Sequence, residues 1–204
     1  MSIQPINIAA LVLAAGESVR LGTPKQLLSW NSKTLLQKTI SELQHIQLPF
    51  PYTLHTTVVL GAYYEQIVQT ISGIGVNIIR NRQWQLGMGE SLQCGIKFIT
   101  QQYQPDYILI ALCDQPLVTS AHYGKLLAEC IECGKGITAS FYNYNFGVPV
   151  VFGKQYFSTL CALQRNKGAQ STIQQNVHDV QGVDIPEAAF DIDTMDDYHV
   201  LYHK

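Results

Sequence analysis

Residues 6–28 read INIAALVLAAGESVRLGTPKQLL, and this stretch decides the fold class. Ile6–Leu13 is a short apolar run ended by small residues, the pattern of a strand buried on both faces. Ala14, Ala15 and Gly16 follow, so backbone N–H groups can approach an anion without side-chain obstruction. Arg20 and Lys25 can reach the same phosphates from the far side of the loop, with Gly22 and Pro24 bending the chain between them. Ligands of open α/β sheets bind beyond the carboxyl ends of strands, which is where this loop begins. The spacing differs from the familiar phosphate loops. A Walker A has four residues between its glycines and then Lys-Ser/Thr, whereas five separate Gly16 from Gly22 and Thr-Pro-Lys follows; no GxGxxG follows the strand either.

Outward from this loop, strand and helix signals alternate. Leu35–Gln47 has apolar residues at helical spacing. Thr56–Leu60 reads as strand, Tyr63–Ile71 as helix, Val76–Arg80 as strand and Ser91–Thr100 as helix. Tyr107–Leu112 is the most apolar strand candidate and runs straight into Cys113 and Asp114. Ser120–Cys133 is a helix with Thr119 or Ser120 as cap and Gly134 as stop. Beyond Gly136 the rhythm is less regular: strands at Ile137–Tyr142, Val148–Phe152 and Val180–Ile185, and short helices at Gln155–Leu163 and Ala169–Gln175. Thr194 with Asp197 resembles a capping box opening a last helix to Tyr202. The expectation is one α/β domain over residues 1–204. It is Rossmann-like and three-layered (α/β/α), with a mostly parallel sheet and a less regular C-terminal third.

Composition narrows the partners. The 204 residues include 13 Lys+Arg against 15 Asp+Glu, a net charge of −2, with only 14% charged residues. So few cations argue against a broad phosphate-neutralising surface for DNA or RNA. An apolar content of 47% argues against a disordered chain. Five cysteines, an odd number, without a secretory pattern point to free thiols in the cytoplasm. Residues 8–15 form too short an apolar run to span a bilayer, and no cation precedes it. Cys130 and Cys133 form a CxxC at a helix end without a second pair, and His199 and His203 lack the Glu of a zincin motif. Neither reads as a metal site, and no nucleophile elbow is present.

LVLAAGESVRLGTPKQLLSW (11–30), NRQWQLGMGESLQCGI (81–96), LCDQPLVT (112–119), GVPVVF (147–152) and DIDTMDDY (191–198) occur in that order. This ordered set resembles the MobA/MocA-like nucleotidyltransferases, most of all the molybdenum cofactor cytidylyltransferases, in which LAAG stands in place of the LAGG of guanylyl transfer. The resemblance implies transfer of CMP from CTP to the terminal phosphate of molybdopterin, with Mg²⁺ or Mn²⁺ as cofactor and a client molybdoenzyme as a further partner.

Residue by residue, Leu13, Ala14, Ala15, Gly16, Arg20 and Lys25 are the expected nucleotide loop, with Arg20 and Lys25 also catalytic. Asp114, emerging past a buried strand, is the expected first metal ligand, since a hard divalent cation takes one or two carboxylates plus phosphate oxygens. In DIDT, alternate residues of an extended stretch share a face, so Asp191 and Asp193 can both face the site, with Asp193 preferred. Asp196 and Asp197 read as N-terminal helix charges. Gly87, Gly89 and Ser91 precede a helix; the resemblance makes them readers of the nucleobase, while Ser91 could also simply cap the helix. Phe141–Gly147 could bind a flat pterin or be an edge hairpin. Gly147, Pro149, Arg165 and Lys167 are the expected acceptor contacts, the last two as a cationic turn for a terminal phosphate. A non-catalytic cofactor carrier, a guanylyl or sugar-phosphate transferase and an oxidoreductase are the rival readings.

Overall fold

The computed structural model describes residues 4–202. Its elements are β1 (Ile6–Ala14), β2 (Ser29–Trp30), β3 (Lys33–Thr34), α1 (Leu35–Gln44), β4 (Tyr52–Leu60), α2 (Tyr64–Ile71), β5 (Asn77–Arg80) and α3 (Met88–Tyr103). They continue with β6 (Tyr107–Leu112), α4 (Ser120–Cys133), β7 (Ile137–Tyr142), β8 (Asn145–Gly153), α5 (Phe157–Cys161), α6 (Ala169–Gln175), β9 (Val180–Asp184) and α7 (Met195–Tyr202).

Seven strands form one sheet in the order β5-β4-β1-β6-β8-β7-β9. β8 alone among them runs against its neighbours; every other pairing in the sheet is parallel. β1 lies inside the sheet between β4 and β6, and its period-2 alternation splits the core. Ile8, Ala10, Val12 and Ala14 pack with α1, α2 and α4 on one face. Ala9, Leu11 and Leu13 pack with α3, α5 and α6 on the other. Both faces being covered, β1 is apolar from Ile8 onward, and the architecture is the expected three-layer α/β/α sandwich. A third cluster joins Leu21, Trp30 and Leu35 to Ile192 and Leu201, tying the C-terminal segment to the region after the first loop.

Several boundaries shift for identifiable reasons. β4 starts at Tyr52, earlier than its β-branched run, because it pairs with all of β1 from Ile6↔Tyr52 onward. α1 stops at Gln44 and opens with a capping box, Thr34 Oγ1 accepting from Gln37 N and Gln37 Oε1 accepting from Thr34 N. α3 starts at Met88, so Ser91 is not its cap; Gly87 is, in a left-handed conformation (φ 115°). The turn between β7 and β8 is only Asn143 and Tyr144, both at positive φ. That hairpin is not at an edge, since β9 pairs with the far side of β7. The capping box at the last helix is present: Asp197 Oδ2 accepts from Thr194 N and Thr194 Oγ1, both at 2.8 Å. All five cysteines are free thiols, and no described helix is long and apolar enough to cross a membrane.

Candidate active site

At the carboxyl ends of β1 and β6 lies a cavity of ≈ 470 Å³. Its floor is the loop after β1. Ala15 is held by Ala62 N–H donating to its carbonyl. Gln26, 1% exposed, passes beneath the loop, and its Nε2 donates to Ala14 O at 2.9 Å and to Gly16 O at 3.0 Å. Those two bonds hold the loop carbonyls of Ala14 and Gly16 against the Gln26 amide. Ser18, in the left-handed region (φ 58°), accepts from Lys25 N–H and ties the far limb back onto the near one.

The charged wall is made by residues distant in sequence. Lys25 Nζ lies 2.8 Å from Asp114 Oδ2 and 2.9 Å from Asp193 Oδ1, and Arg20 lies 2.7 Å from Asp193 Oδ2. Burial by itself would pull the Lys25 pKa down; Asp114 and Asp193 outweigh it and hold the ammonium above the ordinary lysine range. Asp193 shows the complementary effect: partial burial opposes ionisation, but Lys25 and then Arg20 keep its carboxyl below the usual range. Asp193 is delivered by Ile192, whose N–H donates to Asp114 O at 2.9 Å and whose side chain is fully buried. Asp114 Oδ1 is buried without a hydrogen-bond partner. The residues therefore fit a hard divalent cation, for which two carboxylates and phosphate oxygens suffice. Among the described residues no three acidic, His or Cys side chains group closely enough to hold a metal on their own.

Asp191 does not line this cavity. Asp191 is exposed, and desolvation, followed by the charge of Asp114, raises its pKa to about 6. Beside it Gln115, 2% exposed, donates to Val148 O and Ala188 O, joining β8 to the 186–189 turn. Burial, Asp191 and Asp114 together push the Tyr142 phenol above its ordinary pKa.

The cavity thus brings together Leu13, Ala14, Ala15, Gly16, Arg20, Lys25, Gly87, Ser91, Asp114 and Asp193, and adds Gln26, Trp84 and Met88. Other expected residues stand outside this wall. Gly89 is a packing glycine: its N–H donates to Arg165 O, and a Cβ there would strike the carbonyls of Gln164, Arg165 and Lys167. Arg165 and Lys167 turn those carbonyls toward the start of α3, while the Arg165 guanidinium, largely exposed, pairs with Glu90 at 3.3 Å. Gly147 and Pro149 lie on β8; the Tyr142 ring lies across Gly147 and leaves no room for a Cβ. His199 lies on α7, and His203 is outside the described residues. Gln26 was missed because nothing in PKQLL marks a buried amide; the available signal was an uncharged polar residue directly before two leucines.

Residues 10–180 match the MobA-like NTP transferase domain. The chain belongs to this family. Asp193, which closes the charged wall of this MobA-like domain, falls beyond the matched stretch. The Rv0371c homologue of Mycobacterium sp. strain JC1 is 29% identical, with a TM-score of 0.78 over 96% of this chain and 95% of that one. Nicotine blue oxidoreductase of Paenarthrobacter nicotinovorans is 29% identical over 60% of this chain and 56% of its own length. A probable molybdenum cofactor guanylyltransferase of Bacillus cytotoxicus is 25% identical over 73% of this chain and 65% of its own length. The chain therefore spans less than two thirds of the length of these two curated relatives.

Proposed function

We propose that residues 1–204 act as one cytidylyltransferase domain that moves CMP from CTP to the terminal phosphate of molybdopterin. The observation that carries this reading is Lys25 set between Asp114 and Asp193 over a small-residue loop. An acceptor phosphate oxygen forms a bond to the α-phosphorus while the α–β bridging P–O bond breaks, and pyrophosphate departs. Nucleophile and leaving group are both anionic, so no general base is required, and positioning with charge neutralisation is the protein's task. The N–H groups of Ala14, Ala15 and Gly16 cradle the triphosphate, and Lys25 and Arg20 offset charge on the departing pyrophosphate. Asp114 and Asp193 are the side chains that would hold Mg²⁺ or Mn²⁺; such an ion, when bound, supplies positive charge to phosphate oxygens. Gly87 and Ser91 face the base. Gly147 and Pro149 lie toward the acceptor side, with Arg165 and Lys167 as outlying phosphate contacts.

LAAG at 13–16 supports CTP, and the family membership supports a nucleotidyl transfer. The oxidoreductase relative carries a different chemistry in its name, but no dinucleotide GxGxxG follows β1 here. Pyrophosphate release measured with CTP, GTP, ATP and UTP, with and without molybdopterin, tests the reading. Release with CTP that depends on molybdopterin is expected. Release with GTP and not CTP overturns the nucleotide assignment, and release with none of the four overturns the transferase.

A further inference from the structure

Asn81 and Ser91 are both 4% exposed, and only Ser91 borders the cavity. Asn81 follows β5, where its backbone N–H donates to Leu60 O at 2.8 Å. Its side-chain amide has a fixed sense. Oδ1 accepts from the backbone N–H of Gln83 at 2.9 Å, a group that can only donate. Nδ2 must then face the other way, and it donates to Ser91 Oγ at 2.9 Å. With an N–H already pointed at its oxygen, the Ser91 hydroxyl cannot turn its proton toward Asn81. No other partner for it occurs among the described residues, so the proton remains to be given to whatever enters the cavity.

We infer that Asn81 is a specificity-positioning residue: by donating to Ser91 it makes that hydroxyl a fixed donor that reads an acceptor atom on the nucleobase. The inference rests on the nucleotidyl-transfer reading above and deepens it. Cytosine offers O2 and N3 side by side as acceptors. At the equivalent positions guanine has N1–H and N2–H₂, both donors, and its acceptor on that edge, O6, sits where cytosine carries its amino group, so a fixed donor placed for O2 or N3 meets guanine with a lost bond and a buried unpaired group. The pair therefore favours, by polarity, a base with acceptors at those positions.

One substitution inverts the device. Asn81→Asp keeps an oxygen for Gln83 N–H and replaces the amide donor by an acceptor that captures the Ser91 proton. Calorimetric titration of the full chain with CTP and with GTP, in the presence of Mg²⁺, reads the result. Asn81→Asp and Ser91→Ala are each expected to weaken CTP binding about tenfold and to shrink the CTP-to-GTP preference. The double variant is expected to be no weaker than Ser91→Ala. Should Asn81→Asp fail to fold, Asn81→Ala completes the same cycle. Independent, multiplying effects, or an unchanged preference at position 81, overturn the inference while leaving CTP binding by the unmodified chain intact. If the unmodified chain binds GTP over CTP, or binds no nucleotide, the functional reading falls and this inference falls with it.

Discussion

The ammonium nitrogen of Lys25 stands 2.8 Å from Oδ2 of Asp114, with both side chains mostly out of solvent. Asp193 Oδ1, 2.9 Å from the same nitrogen, completes the pairing of a charge that lies in a poorly solvated place. Lys25→Ala and Asp114→Ala are each expected to lower pyrophosphate release by about 100-fold or more, the scale of a lost electrostatic contact in a transition state. Far-ultraviolet circular dichroism should show the sheet retained, because neither side chain belongs to the apolar clusters of the core. A folded variant with an undiminished rate would remove the residue from the mechanism.

The same ammonium has a second consequence, for metal affinity. Lys25 already occupies the space between Asp114 and Asp193, so a free divalent cation has to displace it. Lys25→Met leaves both carboxylates without that competitor. It is expected to bind Mn²⁺, added without nucleotide, at least about tenfold more tightly, as read by electron paramagnetic resonance. Equal affinity in the two proteins would show that these carboxylates are not where the ion binds.

Gln26 tests how much of the loop's shape depends on one side chain. Gln26→Leu removes both donors and leaves Ala14 O and Gly16 O without them, at a cost of about 2–3 kcal/mol in denaturant unfolding. Gln26→Glu places a second acceptor against the same carbonyls and should cost at least as much. Both variants should also weaken nucleotide binding. Unaltered stability in Gln26→Leu would mean that the loop holds its form unaided.

What could be read beforehand divides along physical lines. β1 and β6 were legible because a strand buried on both faces is an unbroken apolar run, and Asp114 because it is the first charge after one. The box at Thr194 was legible because its partner lies three residues away. Gln26 was not, since its burial depends on carbonyls across a loop bend. Nor was the packing of Gly89 on residues 164–167, which appears only when α3 meets the segment before α6. Of the two DIDT carboxylates, Asp193 was singled out for its place beside Thr194, whereas the structure separates the pair by where each side chain lies: Asp193 on the cavity wall, Asp191 beside Gln115. The ribbon β2–β3 has strands too short to show a period.

Lys38 carries a pH signature away from the cavity. Burial, only partly offset by Glu42, lowers its pKa to about 8, and its ammonium donates to Val118 O. The folded state therefore holds this proton less tightly than the unfolded chain. Below pH 8 both forms are protonated and the full cost of the buried charge is present. Between about pH 8 and 10.5 the unfolded form binds more protons, so stability should rise with pH, by on the order of 2–3 kcal/mol. Urea unfolding from pH 7 to 10.5 measures this contribution as the difference between the unmodified chain and Lys38→Met, which should lack it. Parallel curves for the two proteins would refute it.

Ile192, whose backbone bonds to Asp114 and whose side chain fills the cluster around Trp30, sets an order of events in biosynthesis. A ribosome delivers the loop, Gly87–Ser91 and Asp114 long before it delivers Asp193. Throughout that interval the nascent chain holds only one of the two carboxylates around Lys25. The stretch that closes the charged wall follows all of these, so a chain interrupted before it is a partial container without its clasp.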